Sequence, residues 1–337
     1  DVGFKGNPNI GSVVLNQIVN SDDFDTFANG FSAGDKIFII SSIFGGTGAS
    51  GFPLLLKTLR TGNSFPNFQT INDAEIGAVT ILPYFKLKPS DESEIDSSTF
   101  ISKTKSALAY YEDNISKNNQ INALYYLGDD VQNVYENYEG GVEQKNDAHL
   151  IEFLAATAIV DFSKNSYLTT VNKELGIKEE GDAVSFTSFY EGITEMLRCP
   201  LTQFVLMSNC FEHSWNTIST SELAANGKVS GFNEDLYRSQ FVGSLKEFQG
   251  RFLAWLTEMK DNKRSLDLFN LNCGDKPFDV VTNVTPRKVK SLKSNYSLFI
   301  DRINGQVGKL GSKDVKDKLI EIYYLATKQL AKEKFDF

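Results

Sequence analysis

Cysteine, histidine, tryptophan and methionine are scarce in this chain: three, two, two and three among 337 residues. Cys199, Cys210 and Cys273 stand at uneven spacings, so neither a disulfide framework nor a zinc-ligand pattern is indicated, and a reducing cytoplasm is the expected compartment. No apolar run approaches the roughly 20 residues of a membrane-spanning helix, and no secretory signal is visible. Positive charge is short as well. Lys and Arg number 34 against 43 Asp and Glu, a net charge of -9, which argues against a general nucleic-acid surface because phosphate repels it. One dense basic cluster, Arg287 to Lys293 (RKVKSLK), reads as a solvated face. With 41% apolar and 23% charged residues, the chain has material for two domains with cores of their own.

What is present is concentrated in Asp35 to Arg60, DKIFIISSIFGGTGASGFPLLLKTLR. An apolar β-rich run leads into a glycine-rich turn, a proline and an apolar run of helix formers, which reads as strand, anion-binding loop and helix. Gly45, Gly46, Gly48 and Gly51 lack a Cβ and can take φ > 0, so successive N–H groups can line a nest around phosphate oxygens. Pro53 suits a first helical turn. The helix would then aim its positive end at the same anion.

Familiar phosphate loops can be tested against these letters. A P-loop needs Lys-Ser/Thr after its last glycine, whereas Phe52 and Pro53 follow Gly51. Thr47 to Gly51, TGASG, resembles the turn of short-chain dehydrogenases, but Asp73 and Glu75 precede the next strand rather than follow it. This keeps a NAD(P)-dependent oxidoreductase as an alternative, although no Tyr-x-x-x-Lys pair follows at a suitable position.

The segment closely resembles the GGGTG(T/S)G loop of the tubulin/FtsZ family. Gly45, Gly46, Thr47 and Gly48 match it, with Phe44, Ala49 and Ser50 in place of the first Gly, the Thr/Ser and the last Gly, and Pro53 after it. Neighbours agree in order. Gly6-Asn7-Pro8-Asn9-Ile10-Gly11 resembles the family's A-N-P-E-V-G loop, which approaches the terminal phosphate and opens a helix. Ile76 to Phe85 resembles the next strand and its loop, with Leu82 as an extra residue before Pro83. Ser106 to Asn114 reads as a helix, and Ile121 to Asp130 resembles a strand ending in Asn-Asp. Asp130 falls on that Asp, and Asp129 replaces the base-reading Asn; an acid accepts from guanine N–H groups but does not donate to O6 unless protonated. A surface acidic turn is the other reading of these two residues.

The resemblance covers roughly residues 1–165. It implies a Rossmann-type parallel sheet with flanking helices over 1–145, incomplete at its start, a central helix over 146–166, and a helix-rich α+β domain over 167–337. The family's first strand and G-x-G-G-x-G-x-N loop have no counterpart, Glu139-Gly140-Gly141 included, so the chain is expected to be part of a longer protein. The implied ligand is GTP or GDP, with or without Mg²⁺, held by Gly6, Asn7, Pro8, Gly45, Gly46, Thr47, Gly48, Ala49, Ser50 and Asp130. Head-to-tail self-association into filaments is implied with it.

Catalytic residues stay unassigned. The family's N-x-D-x-x-D pattern after the central helix is missing; Asp161 arrives too early, within the apolar helix, and Asn165 and 172–182 offer polar groups without the pattern. A non-hydrolysing scaffold on the same fold is therefore a second reading. His149, beside that apolar helix, reads as a packed or capping residue.

The second half is read more coarsely. Lys173 to Asp182 is a charged, glycine-punctuated connection. Ala183 to Phe189 and Phe278 to Val284 suggest strands, and Thr202 to Ser208 is ambiguous. Glu234 to Lys260, with Leu236, Phe241, Leu245, Phe248, Phe252 and Trp255, and Ser312 to Lys334, with Val315, Leu319, Ile322, Tyr323 and Leu330, have helical periodicity. Their apolar stripes read as core, or else as faces for a protein partner.

Overall fold

The computed structural model describes residue 4 and residues 6–90, 95–118, 120–130, 133–138, 144–167, 181–217, 225–288 and 295–337. Contacts divide the chain into two units, Asp1–Glu174 and Leu175–Phe337.

The first unit runs α1 (Pro8–Leu15), α2 (Asp22–Gly30), β1 (Lys36–Ser42), α3 (Gly46–Thr61), α4 (Phe68–Asn72), β2 (Glu75–Ile81), β3 (Phe85–Leu87), α5 (Phe100–Tyr111), β4 (Ala123–Leu127), β5 (Asn133–Tyr135) and α6 (Leu150–Lys164). Helix starts follow local chemistry: Asn7 caps α1 with Pro8 at its first position, and Ser21 caps α2 ahead of Asp22, Asp23 and Asp25. Strands β1, β2 and β4 form a parallel sheet in the order β1-β2-β4, and β3 pairs in parallel with β5.

All of β2 but Ile81 is buried, as befits the middle strand of a parallel sheet covered on both faces. On one face Ile76 and Ala78 join Ile37 and Ile39 in a core with Leu56 and Leu59 of α3 and Tyr111 of α5. On the other, the Phe38 ring lies 5.3 Å from Phe162 of α6 and 5.8 Å from Tyr125 of β4. Gly77 shares this second face, where a Cβ would stand 2.8 Å from the Phe162 ring. At the start of the strands, Arg60 of α3 donates to the carbonyls of Gln120, Asn72 and Ala74 and to Asn122 Oδ1, at 2.7, 2.9, 2.7 and 2.7 Å. Asn122 Oδ1 also accepts from the Ile76 N–H at 2.8 Å. One guanidinium thus ties α3 to the starts of β2 and β4; burial lowers its pKa and Asp73 opposes that shift.

The second unit runs β6 (Ala183–Val184), α7 (Glu191–Thr217), α8 (Glu234–Tyr237), α9 (Gln240–Asp261), β7 (Ser265–Leu266), α10 (Asn295–Asn304) and α11 (Val315–Phe335). The chain is therefore an α/β protein, and among the described residues β6 and β7 are the second unit's only strands, paired in parallel. Leu319, Ile322, Tyr323 and Leu330 of α11 are core, as their spacing predicts, and Tyr323 packs 4.5 Å from Phe211 of α7.

Several expectations need correction. Thr202 to Ser208, ambiguous in the sequence, lies inside α7, a helix that runs through Pro200. Only Ala183 and Val184 of 183–189 form a strand, and 278–284 contributes one isolated bridge, Val281 to Phe269, because turns break it on either side. Glu234 to Lys260 splits into α8 and α9, and the fully buried stripe of α9 is Val242, Gln249, Leu256 and Met259, not the aromatics; Phe248 is exposed. The α6 helix falls within the first unit. Most of Lys173 to Asp182, all of Glu139-Gly140-Gly141 and most of Arg287 to Lys293 lie outside the described residues. Among the described residues no helix is long and apolar enough to cross a membrane.

These packing relations make opposite expectations for two glycines. Gly77→Ala should destabilise by about 1–3 kcal/mol, because Phe162 must move. Gly243→Ala in α9, where a Cβ meets nothing within 4 Å, should stabilise by about 0.5–1 kcal/mol. Urea unfolding of both variants checks the pair.

Candidate functional site

The glycine loop is built differently from a positive-φ nest. None of Gly45, Gly46, Gly48 and Gly51 has φ > 0, and α3 begins at Gly46 rather than at Pro53, which lies inside the helix. The glycines serve close approach instead. A Cβ on Gly46 would stand 2.8 Å from Asn7 N and 2.9 Å from Phe4 Cβ. A Cβ on Gly48 would run into the Ser42 carbonyl and lie 2.8 Å from Ser42 N. One on Gly11 would run into Ser50 Oγ and lie 3.0 Å from the Gly46 oxygen. The Gly6–Gly11 and Gly45–Ser50 segments, expected from the resemblance to meet at one ligand, are pressed together. Gly6 alone among them needs glycine's backbone freedom, with φ +73.

The chemistry at this junction is partly spent and partly open. Asn7 Oδ1 accepts from Asn9 N and Ile10 N at 3.2 and 3.3 Å, capping α1. Ser50 Oγ donates to the Gly46 carbonyl at 2.7 Å. By contrast, no side chain caps α3 and its first turn holds no acidic residue, while Gly46 itself is buried. Thr47, in that turn, is exposed. Pro53 offers no N–H to the Ala49 carbonyl, and both residues line a cavity of about 560 Å³ with Pro8 and Gly45.

The far wall of that cavity is α5, and sequence reasoning missed it. Lys103, Ser106 and Tyr110 share one helix face at i, i+3 and i+7, a spacing that could have flagged them. Lys103 Nζ lies 3.1 Å from where a Gly6 Cβ would be, and its positive charge also acts on the Asp96 carboxylate. Tyr111 also lines the cavity; it is fully buried, its hydroxyl has no partner, and burial pushes its pKa up, so it stays protonated.

Asp129 and Asp130 lie after β4, and neither lines the cavity. Asp129 Oδ1 accepts from Asp130 N at 2.8 Å, and Asp129 Oδ2 lies 3.7 Å from His149 Nε2. His149 is the α6 cap: its Nδ1 accepts from Ile151 N at 3.1 Å, which puts the ring proton on Nε2, toward Asp129. The ring packs 4.8 Å from Tyr84, whose pKa is pushed up to about 12 by burial, then by Glu152 and Tyr135. Asp129 thus has a structural role, while Asp130 is exposed.

Asp161 is likewise structural. Fully buried in α6, it accepts from Tyr125 OH at 2.8 Å, from Asn165 Nδ2 at 2.9 Å and from Tyr167 OH. Burial, reinforced by Tyr167 and Asp161, pushes Tyr125 up and keeps it a donor. Among the described residues no group of three or more His, Cys, Asp or Glu could hold a metal ion.

In comparisons with known proteins, no family model, no curated protein and no solved structure matches the chain.

Asp161→Ala should cost on the order of 3 kcal/mol, because two hydroxyls and an amide lose their acceptor. Gly48→Ala should cost about 1–3 kcal/mol by displacing the end of β1. Thr47→Val, at an exposed site, should stay within about 0.5 kcal/mol of the wild type. Thermal and urea unfolding give all three values.

Proposed function

We propose that the chain binds a guanine nucleotide, GTP or GDP, on a tubulin/FtsZ-like fold, with its phosphates at the first turn of α3. The observation that carries this reading is the meeting of the Gly6–Gly11 and Gly45–Ser50 segments at an uncapped helix N-terminus beside Lys103. Residues Gly46 to Gly48 would donate backbone N–H groups, Thr47 a hydroxyl, and Lys103 a positive charge. A helix N-terminus favours an anion by about 0.3–1 kcal/mol, and a hydrogen bond to a charged group adds about 1.5–3 kcal/mol. Asp130, the exposed acid that follows the C-terminal end of β4 as α3 follows that of β1, is assigned to the base. Mg²⁺, where present, would ride on the phosphates. Head-to-tail stacking of subunits through the nucleotide would give filaments, a heterologous contact that does not close unless the rotation permits it. The free Cys199, Cys210 and Cys273 support a cytoplasmic setting.

A second reading, a scaffold that binds nucleotide without hydrolysing it, is favoured by Asp161. The one acid in partial register with the family's catalytic pattern is buried under two tyrosines and has no access to a neighbour's ligand.

Fluorescent GDP and GTP analogues titrated into the full chain test the site. Lys103→Ala should weaken binding about tenfold, equivalent to about 1.4 kcal/mol, and flatten its salt dependence. Thr47→Val should weaken it less while leaving the fold intact. Unchanged affinity in Lys103→Ala moves the site elsewhere, and absence of binding to the wild type removes the nucleotide reading. Light scattering that rises with GTP and not GDP would support assembly.

A further inference from the structure

A second cavity lies within the second unit, between α7 and α9, with a volume of about 260 Å³. Ser208, Phe211 and Glu212 of α7 line it at i, i+3 and i+4, and Lys246, Gln249 and Leu253 of α9 at i, i+3 and i+7. Gln249 occupies the middle of the buried stripe of α9, seven residues after Val242 and seven before Leu256. It is 3% exposed, and among the described residues both its amide nitrogen and its amide oxygen lack a hydrogen-bond partner. Helix packing alone would place a leucine at such a position. A buried amide with donor and acceptor both unused calls for a partner that offers acceptor and donor side by side.

We propose that this cavity binds a small amino acid bearing a side-chain carboxamide, paired through that carboxamide to Gln249. The carbonyl oxygen of the ligand would accept from Gln249 Nε2 while its N–H donates to Gln249 Oε1. Phe211 and Leu253 provide an apolar wall for the methylene groups. Lys246 and Glu212 bring opposite charges to the same cavity and match the carboxylate and ammonium of a zwitterion. The volume lies below the span typical of drug-sized ligands and suits a small molecule. Nothing in this inference rests on the nucleotide reading, since every residue involved belongs to the second unit.

Calorimetry and saturation-transfer NMR on the full chain test it, with L-glutamine, L-glutamate and propionamide as probes. L-Glutamine should bind at least about tenfold more tightly than L-glutamate, which is nearly isosteric but cannot donate to Gln249 Oε1, and more tightly than propionamide, which lacks the charges. Gln249→Leu removes two unpaired polar atoms, so it should raise the melting temperature while weakening L-glutamine binding by about tenfold or more. Glu212→Gln with Lys246→Met should abolish the preference of L-glutamine over propionamide. No binding of either amide to the wild type in the millimolar range would overturn the proposal and leave Gln249 as a packing defect. Equal affinity for L-glutamine and L-glutamate, or undiminished binding in Gln249→Leu, would overturn it as well.

Discussion

Space is the constraint on which the first unit depends. The first turn of α3 touches the α1 loop and the end of β1 so closely that Gly46 and Gly48 have no room for a Cβ, and Gly11 meets the same turn from the other side. Side chains at these positions would push α1 away from α3 and pull the helix start off the strand that feeds it. With glycine there, the backbone of α3 begins at the very edge of the sheet, uncapped, with Lys103 of α5 alongside. The anchor at the opposite end of α3 is Arg60, which binds the starts of β2 and β4 and so holds the helix along the sheet.

Much of this first unit was legible because it rests on local chemistry. A strand, a glycine turn and a helix can be read from Asp35 to Arg60, and Asn7-Pro8 announces a capped helix start. The reason for the glycines was not legible. Freedom at φ > 0 and close approach ask for the same residue, and only the position of Asn7 and Ser42 distinguishes them. Lys103 and Tyr111 were missed because they come from α5, whose docking against α3 is a long-range fact. In the second unit the reading weakened further. Residues 278–284 have β-forming letters, but turns on either side of Val281 limit its pairing to one bridge with Phe269, and the buried stripe of α9 passes through a glutamine that periodicity counts as polar.

Buried polar groups divide into two kinds. Asp161 and His149, and the half-buried Arg60, each have partners that account for their position: hydroxyl and amide donors, a helix N–H, and four acceptors respectively. These groups hold elements in register. Among the described residues the Gln249 amide and the Tyr111 hydroxyl have no hydrogen-bond partner and each lines a cavity, whereas the unpaired hydroxyls of Ser41, Thr80, Thr104 and Thr202 line neither. Since an unpaired buried group costs about 1–3 kcal/mol, a protein retains it at small expense only where something else offsets that cost. Both positions therefore direct attention to what the cavities hold, whereas Asp161 and His149, more conspicuous in the sequence, are explained by the fold alone.

The measurement that bears most directly on the central claim is the identity of any small molecule carried by the purified protein. The protein is denatured, the supernatant separated by chromatography, and its nucleotides identified and quantified by mass spectrometry. The account predicts guanine nucleotide near one equivalent per chain, with GTP prevailing over GDP if hydrolysis is slow. A preparation that carries none and takes up none when guanine nucleotide is supplied, or one loaded with NAD, would contradict it.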